Sequence, residues 1–159
     1  MRVRISAIGA LLGLTAAGAS GASDLSGFLA QARSADVVIL GEIHDNPTHH
    51  ATQAEIVAAL DPSALVFEMF PQGAEAEIND LRAKGAPPAE IAQALDWPAG
   101  GWPDFGYYAA ILAAAPGASV FGAGQPPADT ARAASEGAAA AFGRDATRYG
   151  LDRPLAPAD

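Results

Sequence analysis

Val37, Val38, Ile39 and Leu40 form an unbroken apolar run that stops at Gly41, and Glu42, His44, Asp45, Asn46, His49 and His50 crowd in directly behind it. A run with no polar alternation is what a strand covered on both faces requires, so the segment 36–41 is predicted as a buried parallel strand with a polar cluster at its carboxyl end. That edge of an open α/β sheet is where ligands bind. All three histidines of the chain lie there. Asn46 suits a helix N-cap and Pro47 the first helical position, so a helix is predicted from about Pro47 to Leu60, its free N–H groups aimed at the same edge.

Further elements follow from the same signals. Ser23 is a candidate cap for a short helix over 24–33, and Asp61-Pro62-Ser63 separates the second helix from a strand over Ala64–Phe67 that ends at Glu68. Two strands around one helix make a βαβ unit with a right-handed crossover, which predicts Glu42, His44 and Glu68 at one edge of adjacent parallel strands. Helices are predicted from Pro71 to Lys84, from Pro88 to Leu95, from Phe105 to Ala115 and from Ala128 to Phe142, with a third strand over Ser119–Gly122. The fold class read from this order is α/β, a mainly parallel sheet with helices on both faces. No repeat or linker divides it into domains.

The N-terminus reads differently. Arg2 and Arg4 precede the apolar stretch Ile5–Ala17, and small residues follow in Ala17-Gly18-Ala19-Ser20-Gly21-Ala22. Charged, apolar and small-residue regions in that order predict a secretory signal peptide over 1–22 and a single domain over 23–159. The apolar stretch is shorter than the roughly 20 residues a bilayer-spanning helix needs. With no cysteine, disulfides and a lipid-anchored N-terminus of the bacterial lipoprotein kind are both excluded, and the expected product is periplasmic or secreted with no stable membrane anchor. The formal charge of −9 makes nucleic acid an unsuitable partner. Lys84 stands beside eight arginines, a bias read as composition and not as chemistry.

Taken as residues alone, Glu42, His44 and Glu68 suit three readings. They fit ligands of a divalent metal that activates water for attack on an ester or amide, general acid-base groups, or a structural turn. His49 and His50 diverge by about 100° on a helix. His49 shares a stripe with Gln53, Ile56 and Leu60 and is the one expected to face the site, His50 the one expected in solvent. Trp97, Trp102, Phe105, Tyr107 and Tyr108 fall close together, which suits either core packing or a wall for a flat apolar ligand. The stripe through Tyr108, Ile111, Leu112 and Ala115 is the apolar one, so Tyr108 is expected inward and Tyr107 at its margin.

Val-Ile-Leu-Gly-Glu-Ile-His-Asp-Asn-Pro-x-His-His at 38–50, Val-Phe-Glu-Met-Phe at 66–70, Trp-Pro-Asp-Phe with Tyr108 at 102–108 and Val-Phe-Gly-Ala-Gly at 120–124 together resemble the ChaN-type haem-binding uptake family of the Tiki superfamily. The resemblance implies an exported α/β protein with a role in haem or iron acquisition, and haem held between two protomers through a tyrosine. Haem is then the cofactor and partner, a homodimer is expected, and Tyr108, Tyr107, Trp102 and His49 are the candidate haem contacts. The wider superfamily includes hydrolases, and its pattern puts Gly41, Glu42, His44 and Glu68 in the site, with Glu42, His44 and Glu68 catalytic or metal-binding. It also calls for a later Gly-x-x-His. No histidine follows His50, so the chain resembles the N-terminal part of a longer, truncated domain.

Overall fold

A computed structural model describes residues 5–6 and 25–153. The strands are β1 (Ile5–Ser6), β2 (Val37–Val38), β3 (Ala64–Pro71) and β4 (Ser119–Gly124). The helices are α1 (Ser26–Ala32), α2 (Pro47–Leu60), α3 (Glu75–Ala83), α4 (Pro88–Ala94), α5 (Phe105–Ala114), α6 (Pro127–Glu136) and α7 (Ala138–Phe142). Short 3-10 turns lie at Trp97–Gly100 and Ala146–Tyr149. The chain is an α/β domain with parallel strands and helices around them, as the order of apolar runs predicts. Apart from Ile5–Ser6, the predicted signal peptide lies outside the described residues. None of the described helices is long and apolar enough to cross a membrane.

The main sheet is the parallel pair β3–β4, in register from Ala64 opposite Ser119 to Phe67 opposite Gly122. The connection between them is made of α3, α4 and α5, long enough for a parallel return. Leu65, Phe67, Met69 and Phe70 on β3 and Val120 on β4 turn to the core. There they meet Val57 of α2, Ile78 of α3, Ile91 of α4 and Ile111 and Leu112 of α5. On the opposite face Val66 and Phe121 stand 66% and 45% exposed.

Several boundaries differ from expectation. The strand predicted to stop at Glu68 runs on to Pro71, and the helix predicted from Pro71 begins only at Glu75. A register shift between Phe67 and Pro71 explains this. One irregular step lets Met69 and Phe70 both turn inward, and the bulged strand bends toward β4. Gly122 and Gly124 permit the approach, since a Cβ on Gly122 would strike the carbonyls of Phe70 and Pro71. Gly73, at φ +94°, then turns the chain into α3.

β2 is shorter than predicted and pairs with β1, while β3 pairs with β4. The expectation that segments 36–41 and 64–68 are hydrogen-bonded neighbours is therefore not met. Beyond Val38 the chain leaves extended pairing to form an irregular loop over 39–46, because that loop is held by side chains from α2 and α5, described below. The single helix predicted over 128–142 is two, broken at Gly137 with φ +92°. α2 follows the prediction closely: Asn46 accepts from the N–H groups of Thr48 and His49, Pro47 takes the first position, and Asp61 ends the helix in the left-handed region.

Two side chains do the work of backbone at the edge of β4. Asn79 of α3 donates to the carbonyl of Val120 and accepts from its N–H, each over 2.8 Å. Arg82 of α3 donates to the carbonyls of Ala115, Ala118 and Leu112, where α5 ends. The arginine bias read as composition therefore includes one arginine with a specific structural use, closing carbonyls that a helix C-terminus leaves open.

Candidate functional site

The loop 39–46 lies across the paired first turns of α2 and α5. α2 enters with His49, His50 and Gln53 in its first two turns, and α5, capped by Asp104 on the N–H of Gly106, enters with Tyr107 and Tyr108. The two helices pack on each other, so these residues converge on the carboxylate of Glu42.

Glu42 is the centre of the cluster. Its Oε1 accepts from the hydroxyl of Tyr108 and from Nδ1 of His44, each at 2.8 Å. Its Oε2 lies 3.2 Å from Nδ1 of His50. Burial by itself would push the Glu42 carboxyl up; hydrogen bonds from His44, Tyr108 and Gln53 and the charge of His50 together outweigh it and hold the group below the usual carboxylate range. With Nδ1–H given to Glu42, the free nitrogen of the half-exposed His44 is Nε2.

His50 is the inward histidine, not His49. It is 1% exposed, stacked on Tyr107 at 5.0 Å and 16° and set edge-on to Tyr108 at 4.8 Å. Its Nε2 donates to the carbonyl of His44 over 2.9 Å, and Nδ1, although in ion-pair reach of Glu42, is not aligned for a hydrogen bond. His49 is half-buried and accepts the N–H of Ile43 at Nδ1 over 3.0 Å, which pins the loop. The expectation reversed the two because the stripe 49, 53, 56, 60 was taken as the core-facing one. Gln53, Ile56 and Val57 are indeed buried, but α5 lies against the side of α2 that carries His50. That choice between adjacent positions depends on where the neighbouring helix sits.

Tyr108 is 0% exposed. Burial first, then its hydrogen bond to Glu42 and the negative charges of Glu42 and Glu68, raise its phenol far above the ordinary value. A phenol in that state stays protonated and donates a hydrogen bond to the Glu42 carboxylate. Tyr107 is only half-buried, and its hydroxyl makes no hydrogen bond among the described residues. Trp102, also half-buried, meets His44 edge-on at 5.2 Å. Trp97 is buried against Phe70, Phe105 and Tyr108, its indole N–H donating to the carbonyl of Pro103 over 2.7 Å. The aromatic cluster thus divides: Trp97, Phe105 and Tyr108 serve the core, whereas Trp102 and Tyr107 reach the surface on either side of the two histidines.

Of the three acidic and histidine residues grouped by sequence, Glu42 and His44 meet and Glu68 does not join them. Glu68 lies on the exposed side of β3 and reaches the cluster through its charge on Tyr108. Among the described residues no three His, Asp or Glu side chains are arranged to hold a metal ion. His50 is the member of the cluster that the sequence reading placed in solvent, and the signal available for it was its place beside His49 in the same motif.

The sequence model of the family described as haem-binding uptake, Tiki superfamily, ChaN matches residues 28–159. No curated protein and no solved structure matches the chain.

Proposed function

Because the chain belongs to the ChaN-type haem-binding uptake family of the Tiki superfamily, we propose that it is an exported protein that captures ferric haem for iron uptake, with Tyr107 as the axial ligand. The observation that carries this reading is the contrast between the two tyrosines. A phenolate ligand must be reachable and able to lose its proton; Tyr108 is buried and bonded to Glu42, while Tyr107 stands half-open with its hydroxyl uncommitted. Haem would supply a ferric iron, and the Tyr107 oxygen would be the group that holds it.

The residues present suit a flat, largely apolar ligand. Trp102 meets His44 edge-on, and Tyr107 stacks on the buried His50 behind the same loop, so a planar macrocycle would meet Trp102, His44 and Tyr107, with the Tyr107 oxygen as the group that would hold the iron. Export rests on the basic, apolar and small-residue order of 1–22.

Titration of the purified protein with ferric haem tests the binding reading. A phenolate-to-iron charge-transfer band that is present in the native protein and absent from Tyr107→Phe is the expected result. A band that survives Tyr107→Phe would remove the assignment. For export, N-terminal sequencing of periplasmic protein should find a start between about Ala19 and Asp24, and an intact Met1 in that fraction would sink the idea.

A further inference from the structure

We propose that His50 positions the Tyr107 phenol for the haem iron, an inference that rests on Tyr107 being the ligand. At 1% exposure His50 has no surface to offer a ligand, so any part it plays in binding is played through its neighbours. Its ring lies 5.0 Å from that of Tyr107 and within 16° of parallel. The phenol of Tyr107 has no hydrogen bond of its own among the described residues, so its ring is placed by packing, through the stack on His50 and its contacts with the core.

An apolar ring in the same place would fill the space and remain free to slide. The imidazole is held by Nε2, which donates to the His44 carbonyl over 2.9 Å, while Nδ1 lies 3.2 Å from the Glu42 carboxylate without a hydrogen bond. Tyr108, set edge-on at 4.8 Å and 66°, blocks a third direction, and its own hydroxyl is fixed on Glu42. The orientation of His50 is thus tied to the same carboxylate that organises the loop, and it is passed to Tyr107 through the stack. Ligation depends on the direction of the oxygen as well as its presence, and neighbours that orient a ligating side chain typically alter affinity measurably.

The test is a double-substitution cycle on the full chain with ferric haem as the probe, made from His50→Leu, Tyr107→Phe and the pair. His50→Leu is expected to weaken haem binding about three- to tenfold, the range of an aromatic pair contact, and to shift or broaden the phenolate-to-iron band. In the Tyr107→Phe background the same substitution should change haem affinity no further, because the effect runs through Tyr107. Unchanged affinity and band in folded His50→Leu would overturn the proposal, as would an equal loss in both backgrounds, which would mark a general structural role. If His50→Leu does not fold, His50→Phe, which keeps the ring and drops both polar contacts, is read by the same cycle. A band that persists in Tyr107→Phe alone would instead overturn the ligand assignment, and this inference with it.

Discussion

The hydroxyl of Tyr108 donates to Oε1 of Glu42 over 2.8 Å, joining residues 66 positions apart in the chain. It ties the first turn of α5 to the loop that follows β2, and everything else in the cluster is arranged around the same carboxylate. Tyr108 gains from this a place in the core with its one polar atom satisfied. Glu42 gains one of the donors that keep it ionised while largely buried.

Separate substitutions should therefore divide the adjacent tyrosines by role. Tyr108→Phe leaves a buried carboxylate short of a donor and should cost about 1–3 kcal/mol of stability, while keeping the haem charge-transfer band. Tyr107→Phe should cost little stability and abolish the band. Chemical denaturation and haem titration of both variants check the two halves of the statement.

Acid should act through Glu42. Its folded-state carboxyl lies below the ordinary value of 4.5, so its contribution to stability is complete above that value and is lost as the pH falls through the lower folded value. The groups that face it are His44 in its own loop, His50 and Gln53 from α2 and Tyr108 from α5. Glu42→Gln should melt at a lower temperature than the native protein at pH 7, and the gap should close as the pH is taken below about 4. A gap that stays constant from pH 7 into the acid range would contradict the assignment.

Asn79 stands in for a neighbouring strand at the edge of β4, satisfying both the N–H and the carbonyl of Val120. Asn79→Ala should destabilise the domain by about 1–3 kcal/mol, since it leaves two part-buried backbone groups without partners. Asn79→Asp keeps the acceptor and loses the donor, and should fall between the two in urea unfolding.

Gly122→Ala tests the close approach of β3 and β4. The added methyl would meet the carbonyls of Phe70 and Pro71, and because these are backbone atoms in a bulged strand they have little room to yield. A loss of about 1–3 kcal/mol is expected, the usual cost of overpacking. Gly117→Ala, where a Cβ would meet nothing within 4 Å, is the control and should be close to neutral.

What the sequence determined by itself was local. Asn46 and Pro47 start α2 because a side-chain acceptor and a missing N–H answer the needs of a helix's first turn wherever it lies. The apolar runs at 64–67 and 119–122 announced β3 and β4, and the spacing of Tyr108, Ile111 and Leu112 announced which side of α5 is buried, since both follow from the periods of the backbone; the run at 37–40, predicted as a strand covered on both faces, forms only the short β2, with Val37 and Ile39 exposed. The polar cluster at 42–50 and its family pattern were legible for the same reason: they are contiguous. Tertiary structure decided the matters that depend on a second segment. His50 turns inward in place of His49 because α5 lies against that side of α2, and the first turn of a helix does not encode which flank its neighbour will take. β3 runs past Glu68 because Gly122 and Gly124, far along the chain, leave space for its bulge. Glu42 meets Tyr108 while Glu68 keeps to the exposed side of its strand, since proximity at one sheet edge is set by strand pairing and by the path of the loop, neither of which is written in the spacing of the acids themselves.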